Sequence, residues 1–180
     1  MEYKSSENVS SADNQQERLK IENWILGFTD GEGCFSVSLL KNKTSKMNWQ
    51  VFPEFVITQG EKSKKALELF QNYFKCGKVF INRRHDNHRE HIYKYCVRSI
   101  EEIELKIIPF FTQNKLLTAK YDDFLLFKKI MELIKKRKHL EKKGMIQIAT
   151  LIQKMNRKKP ARFLKSPETK RQSPIKNRTR

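Results

Sequence analysis

Apolar positions along this chain switch between two periods. Trp24, Ile25, Leu26 and Phe28 cluster after a polar stretch and before Asp30-Gly31-Glu32-Gly33, the pattern of a short helix that stops at glycines. Phe35, Val37 and Leu39 then alternate with Ser36, Ser38 and Leu40. Trp49, Val51, Phe52, Phe55 and Ile57 make a second extended run, so Lys41 to Asn48 reads as the polar loop of a hairpin. Helical spacing returns over Ser63 to Tyr73, with Ala66, Leu67, Leu69 and Phe70 inside it, Phe74 just beyond and Ser63 as a first-turn or capping residue. Beyond Cys76-Gly77, Val79 and Ile81 begin a third strand. Tyr93, Tyr95 and Val97 form a fourth across the charged loop Arg83 to His91. Helical patterns follow over Glu101 to Phe111, interrupted or ended near Pro109, over Lys120 to Lys136, and over Lys142 to Asn156.

The resulting αββαββα order predicts an α+β fold in which a curved, antiparallel four-stranded sheet carries its helices on one face. Period two then assigns the other face: Ser36, Ser38 and Leu40 from the first strand; Gln50, Phe52, Glu54 and Val56 from the second; Lys78, Phe80, Asn82 and Arg84 from the third; Ile92, Lys94, Cys96 and Arg98 from the fourth. Basic, hydrogen-bonding and a few apolar side chains on a curved sheet suit a DNA major groove, where Arg, Lys, Asn and Gln pair with base edges and apolar groups meet thymine methyls. The competing reading of the same pattern is an ordinary solvated face.

Charge favours the first reading. The 180 residues hold 38 Lys and Arg against 20 Asp and Glu, a formal net charge of +18, which makes a polyanion the first partner to consider. With 38% hydrophobic residues the chain still buries a core. No stretch approaches the roughly 18 consecutive apolar residues of a membrane span, so no membrane partner is expected. Residues 1–20 are nearly neutral and read as a disordered lead-in, neither a secretory signal nor a transit peptide. Residues 21–156 form the domain. Residues 157–180 are expected to be a disordered basic tail that adds sequence-independent affinity, with Arg157, Lys158, Lys159 and seven further basic side chains against Glu168 alone. Cys34, Cys76 and Cys96 are too scattered for a disulfide scaffold or a zinc site and fit a reducing compartment. Abundant Lys, Ile, Asn and Phe is the composition of AT-rich organelle genes, which puts the protein in an organelle, with chloroplast ahead of mitochondrion.

Ile25-Leu26-Gly27-Phe28-Thr29-Asp30-Gly31-Glu32-Gly33 resembles the signature of the LAGLIDADG homing endonucleases, whose core has this αββαββα order. Phe55-Val56-Ile57-Thr58-Gln59 resembles the end of that family's second strand. Leu116-Leu117-Thr118-Ala119-Lys120 resembles its PLLTxK segment, with Lys115 in place of the usual proline. The resemblance spans roughly residues 20–156. It implies a site-specific nuclease that hydrolyses both strands of a near-palindromic DNA duplex and promotes intron homing.

On this likeness Glu32 is the catalytic carboxylate and, with the Gly31 carbonyl, a ligand of Mg²⁺; Glu stands where Asp is commoner. Gln59 orients water and Lys120 lies near the scissile phosphate. The family Arg found four residues past the Gln is Ser63 here, flanked by Lys62 and Lys64, either of which could replace it. The expected DNA contacts are Ser36, Ser38, Leu40, Asn42, Gln50, Glu54, Val56, Lys78, Phe80, Asn82, Arg84, His88, Arg89, Lys94, Cys96 and Arg98. A single signature supplies one carboxylate per chain, so cutting two strands implies a homodimer closed by Trp24, Gly27 and Phe28. His85-Asp86-Asn87-His88 superficially suggests a metal site, but a strand or loop would spread these side chains, and contact with DNA is the better reading. The rival functions are an intron RNA maturase and a DNA-binding regulator without catalysis. Retention of Glu32, Gln59 and Lys120 argues against both.

Overall fold

A computed structural model describes residues 6–82, 91–155 and 162–165. Helix α1 (Ser6–Glu32) leads directly into strand β1 (Gly33–Lys41), followed by β2 (Trp49–Gly60), α2 (Lys64–Phe74), β3 (Lys78–Asn82) and β4 (Ile92–Val97). Three helical pieces come next: α3 (Ile100–Glu102), a π-helical turn (Ile103–Ile107) and α4 (Ile108–Gln113). Helices α5 (Lys120–Lys135) and α6 (Lys142–Lys154) and a 3-10 turn (Arg162–Lys165) complete the described chain. The strands form one antiparallel sheet in the order β1-β2-β4-β3, as expected for two hairpins whose second strands meet at the centre.

The alternation predicted for the strands holds over β1 and the first part of β2, but not over β4, and Ile81 of β3, expected on the core side, is exposed. Phe35, Val37, Trp49, Val51, Phe55, Ile57, Tyr95 and Val97 are buried on the helix-covered face. Phe35 stacks on Phe55 with ring centroids 5.0 Å apart and meets Phe111, Phe124 and Phe127 at 5.2, 5.3 and 5.5 Å. Each such ring contributes roughly 1.5–3 kcal/mol by leaving water. The aromatic seam therefore fixes β1 and β2 against α4 and α5, and with them the ends of the elements that carry the site.

Two expectations are corrected and two are made more definite. Residues 6–20, read as a disordered lead-in, continue α1 toward the N-terminus. Residues 13–20 are exposed on every side, so no apolar stripe marks them in the sequence. The helical pattern at Glu101 to Phe111 is interrupted near Pro109, as expected, rather than ended there. The π-helical turn just before it loosens the backbone, and Pro109 begins the next turn, where its missing N–H matters least. Ser63 occupies the position ahead of α2 but makes no side-chain capping bond. In the stretch read as a disordered tail, the Arg162–Lys165 turn buries Phe163 edge-on against Trp49 at 5.6 Å. Arg84, His88 and Arg89, and the His85 to His88 motif, lie outside the described residues. Among those described, no helix is long and apolar enough to cross a membrane.

Candidate active site

Two helix ends and one strand end converge at the site. Helix α1 stops at Glu32 because Gly33 enters the sheet at once, opposite Ile57 of β2. The junction is tight: a Cβ on Gly33 would lie 2.5 Å from Thr29 Cγ2 and 2.8 Å from the Thr29 carbonyl oxygen. Helix α5 approaches from the far end of the sequence. The Leu117 N–H donates to Asp30 Oδ2 at 2.7 Å, and the Thr118 N–H and hydroxyl donate to Asp30 Oδ1 at 3.1 and 2.7 Å. This clamp delivers Lys120 to the end of α1, where its ammonium donates to the carbonyls of Asp30 at 2.8 Å and Gly31 at 2.6 Å.

Asp30 therefore braces the site, a role that inspection of the signature alone misses. Partial burial opposes its ionisation, but the Leu117 N–H, the Thr118 hydroxyl and N–H, and the Lys120 charge together hold its carboxyl below the ordinary value. Neighbouring Glu32 is exposed and its carboxylate has no partner among the described residues. Gln59 lies half-buried two residues beyond the Gly33–Ile57 pair, alongside the end of α1 and across from Tyr93 of β4. Lys64 Nζ lies 2.9 Å from Glu68 and 5.5 Å from the ring centroid of Tyr93, the residue across from Gln59. Lys115, in the proline position, lies over Tyr121 at 4.9 Å.

A divalent cation suits this donor set. One free carboxylate, Glu32, and the Gly31 carbonyl stand at the C-terminal end of a long helix, where partial negative charge accumulates and already holds an ammonium. Oxygen donors with positions left for water are what Mg²⁺ prefers. Among the described residues no three His, Cys, Asp or Glu side chains cluster as a metal site.

Beyond the site, the sheet face away from the helices holds the expected side chains, with two corrections. Ser36, Ser38, Leu40, Gln50, Glu54, Lys78, Phe80, Lys94 and Arg98 reach solvent wholly or in part, and Asn42 lies in the β1–β2 loop, donating to Gln50 at 3.1 Å. Val56 and Cys96, expected to touch DNA, are each only 5% exposed at the middle of the two central strands, so they form the floor of the face. Asn82 ends β3. On α1, Trp24 is 38% exposed and a Cβ on Gly27 or Gly31 would meet nothing within 4 Å. Phe28, also assigned to a dimer contact, instead packs inward against Phe70 at 5.7 Å.

Comparison with known proteins agrees with the geometry. The sequence model of the LAGLIDADG endonuclease family matches residues 25–131. The probable intron-encoded endonuclease 2 of Neurospora crassa is 36% identical over 125 residues, which is 69% of this chain and 27% of that protein; the chain thus spans about a quarter of the curated relative's length. The homing endonuclease I-TnaI superimposes with a TM-score of 0.71 at 33% identity, covering 80% of this chain and 93% of that one. I-SmaMI, bound to an uncleaved DNA target in the presence of calcium ions, superimposes with a TM-score of 0.70 at 31% identity, covering 78% of this chain and 46% of its own. The matched span takes in the signature helix, the whole sheet and the helix that delivers Lys120, and on that breadth the chain belongs to the LAGLIDADG endonuclease family.

Proposed function

We propose that the protein is a homing endonuclease that binds a long, near-palindromic DNA duplex on the open face of its sheet and hydrolyses one phosphodiester bond in each strand, promoting intron homing. The observation that carries this reading is the end of α1, where the free Glu32 carboxylate stands beside carbonyl oxygens already bonded to the Lys120 ammonium. Glu32 and the Gly31 carbonyl would hold Mg²⁺, which supplies activation of water and neutralisation of charge on the phosphate. Lys120 offsets negative charge developing on the phosphate oxygens, and the Gln59 amide orients the attacking water. The intron-encoded relative and the DNA-bound structural neighbour support the substrate class and the homing role. An organelle is the expected setting, and the fungal source of that relative makes a mitochondrion as suitable a host as the chloroplast put first on composition.

Two copies act on one duplex in this proposal. One protomer offers one free carboxylate at the site, and cutting two strands calls for two. Trp24 and the open stripe at Gly27 and Gly31 supply a face on which a second α1 can pack, with Leu117, 87% exposed, flanking it. Packing there brings two Glu32 side chains together, a repulsion that bound cations relieve.

The test is cleavage, with Mg²⁺, of DNA spanning the intronless allele of the host gene. A double-strand cut that Glu32→Gln abolishes while binding persists is the expected result. Failure to cut at any site, together with tight binding of the intron RNA, would replace this reading with the maturase one.

A further inference from the structure

On the open sheet face one carboxylate stands among basic and neutral side chains. Glu54, at the centre of β2, would repel phosphate, yet it is not displayed to solvent: its side chain is only 19% exposed. Oε2 accepts from Arg98 Nε at 3.1 Å and lies 3.7 Å from the Cys96 thiol; Oε1 lies 3.5 Å from the Ser36 hydroxyl and 3.9 Å from Lys94 Nζ. Both oxygens thus face side chains of β1 and β4, the neighbours on either side, and of Arg98 just past the end of β4.

Arg98 is held in more than one direction. Besides the bond to Glu54, its guanidinium carbon lies 5.3 Å from the Phe52 ring centroid and 5.7 Å from that of Phe80, so aromatic side chains from β2 and β3 flank the same group. Phe80 remains 38% exposed and the Arg98 side chain 48% exposed, on a face where nothing in the described chain covers them. With Nε engaged, the edge left for a base is the end-on Nη1/Nη2 fork. That planar pair of donors matches guanine O6 and N7, and a fork already oriented loses less freedom on binding than a loose side chain.

We infer that Arg98 reads a guanine in each half of the DNA target, and that Glu54 is a positioning residue that fixes the Arg98 fork without touching the base itself. The inference rests on the DNA-target reading above. It adds a specific base, the side chain that reads it and the one that aims it. Lys94, near the same carboxylate, contributes charge without a fork and so carries little base preference.

Selection from a randomised duplex library in EDTA, where cleavage plays no part, tests both claims. The wild-type chain should enrich a guanine at one symmetric pair of positions. Arg98→Lys should reduce preference at that pair alone by roughly 5- to 150-fold, since it keeps the charge and loses the fork. Glu54→Ala should weaken the same guanine preference several-fold, and Glu54→Gln, which keeps an acceptor oxygen, should retain most of it. Should Glu54→Ala fail to fold by circular dichroism, Phe80→Leu takes its place, with loss expected at the same guanine. Guanine preference that survives Arg98→Lys overturns the inference. So does a Glu54→Ala variant that loses a cytosine elsewhere, meaning that Glu54 reads a base, or that binds all sequences equally more weakly. A wild-type chain that enriches no sequence overturns the site-specific reading as well, whereas enrichment without an Arg98-dependent guanine overturns this inference alone.

Discussion

Asp30 joins more of the site than any other single side chain. It receives three hydrogen bonds from Leu117 and Thr118, and its own carbonyl takes one from Lys120. Hydrogen bonds to a charged group contribute about 1.5–3 kcal/mol each when buried and less at a half-exposed carboxylate, so Asp30→Ala should lower stability by about 2–3 kcal/mol in urea titration at neutral pH. The pH dependence has a definite sign. The folded-state pKa lies below the unfolded one, so the stabilisation is full above the unfolded value and is lost as pH falls through the folded value. The stability gap between the wild-type chain and Asp30→Asn should therefore narrow in acid, and a gap that stays constant from neutrality to pH about 3 would rule this account out. Glu32 is legible in the sequence because the signature frames it. The task of Asp30 is not, because its partners lie 87 and 88 residues further on.

At the scale of elements, α1 carries opposite demands on its glycines. Gly33 has no room for a methyl group, so Gly33→Ala should cost about 1–3 kcal/mol through overpacking against Thr29. Gly27 faces open space, and Gly27→Leu should leave the thermal midpoint of the monomer unchanged or raised, since glycine disfavours helix by about 1 kcal/mol. On the proposed pairing of two copies through α1, the same variant should run as a monomer in sedimentation equilibrium where the wild-type chain runs as a dimer, and a variant that still dimerises would remove α1 from the interface. The facing of β1 and of the first part of β2 is readable in the sequence because apolar residues there alternate with period two, whereas the strand order is not, since alternation does not say which strands lie side by side. The polar start of α1 is not readable, since a helix exposed on every side has no stripe to announce it. Nor is the burial of Val56 and Cys96, which arises from their place on central strands rather than from their own residue type.

For the whole molecule, the stretch read as a basic tail carries many charges and, at Phe163, a buried ring. Truncation after Lys165 removes Lys170, Arg171, Lys176, Arg178 and Arg180 but keeps Phe163 against Trp49. It should weaken binding to cognate and random DNA alike without changing the thermal midpoint. The slope of log affinity against log salt should flatten by about 0.9 for each phosphate that the shortened chain no longer neutralises. Truncation after Ala161 uncovers Trp49 and should lower that midpoint too, by an amount in keeping with the roughly 3–5 kcal/mol of losing a buried Phe. Both are read by differential scanning calorimetry and filter binding over a salt series. The clamp between Asp30 and Thr118 also bears on the chain as it is being made. Closing a loop of 88 residues comes after the local helices and hairpins, so the ribosome has to release α5 before Lys120 can reach α1. Nascent or prematurely terminated chains that stop short of that helix hold Glu32 without its lysine, and on the proposed function they stay inert toward DNA.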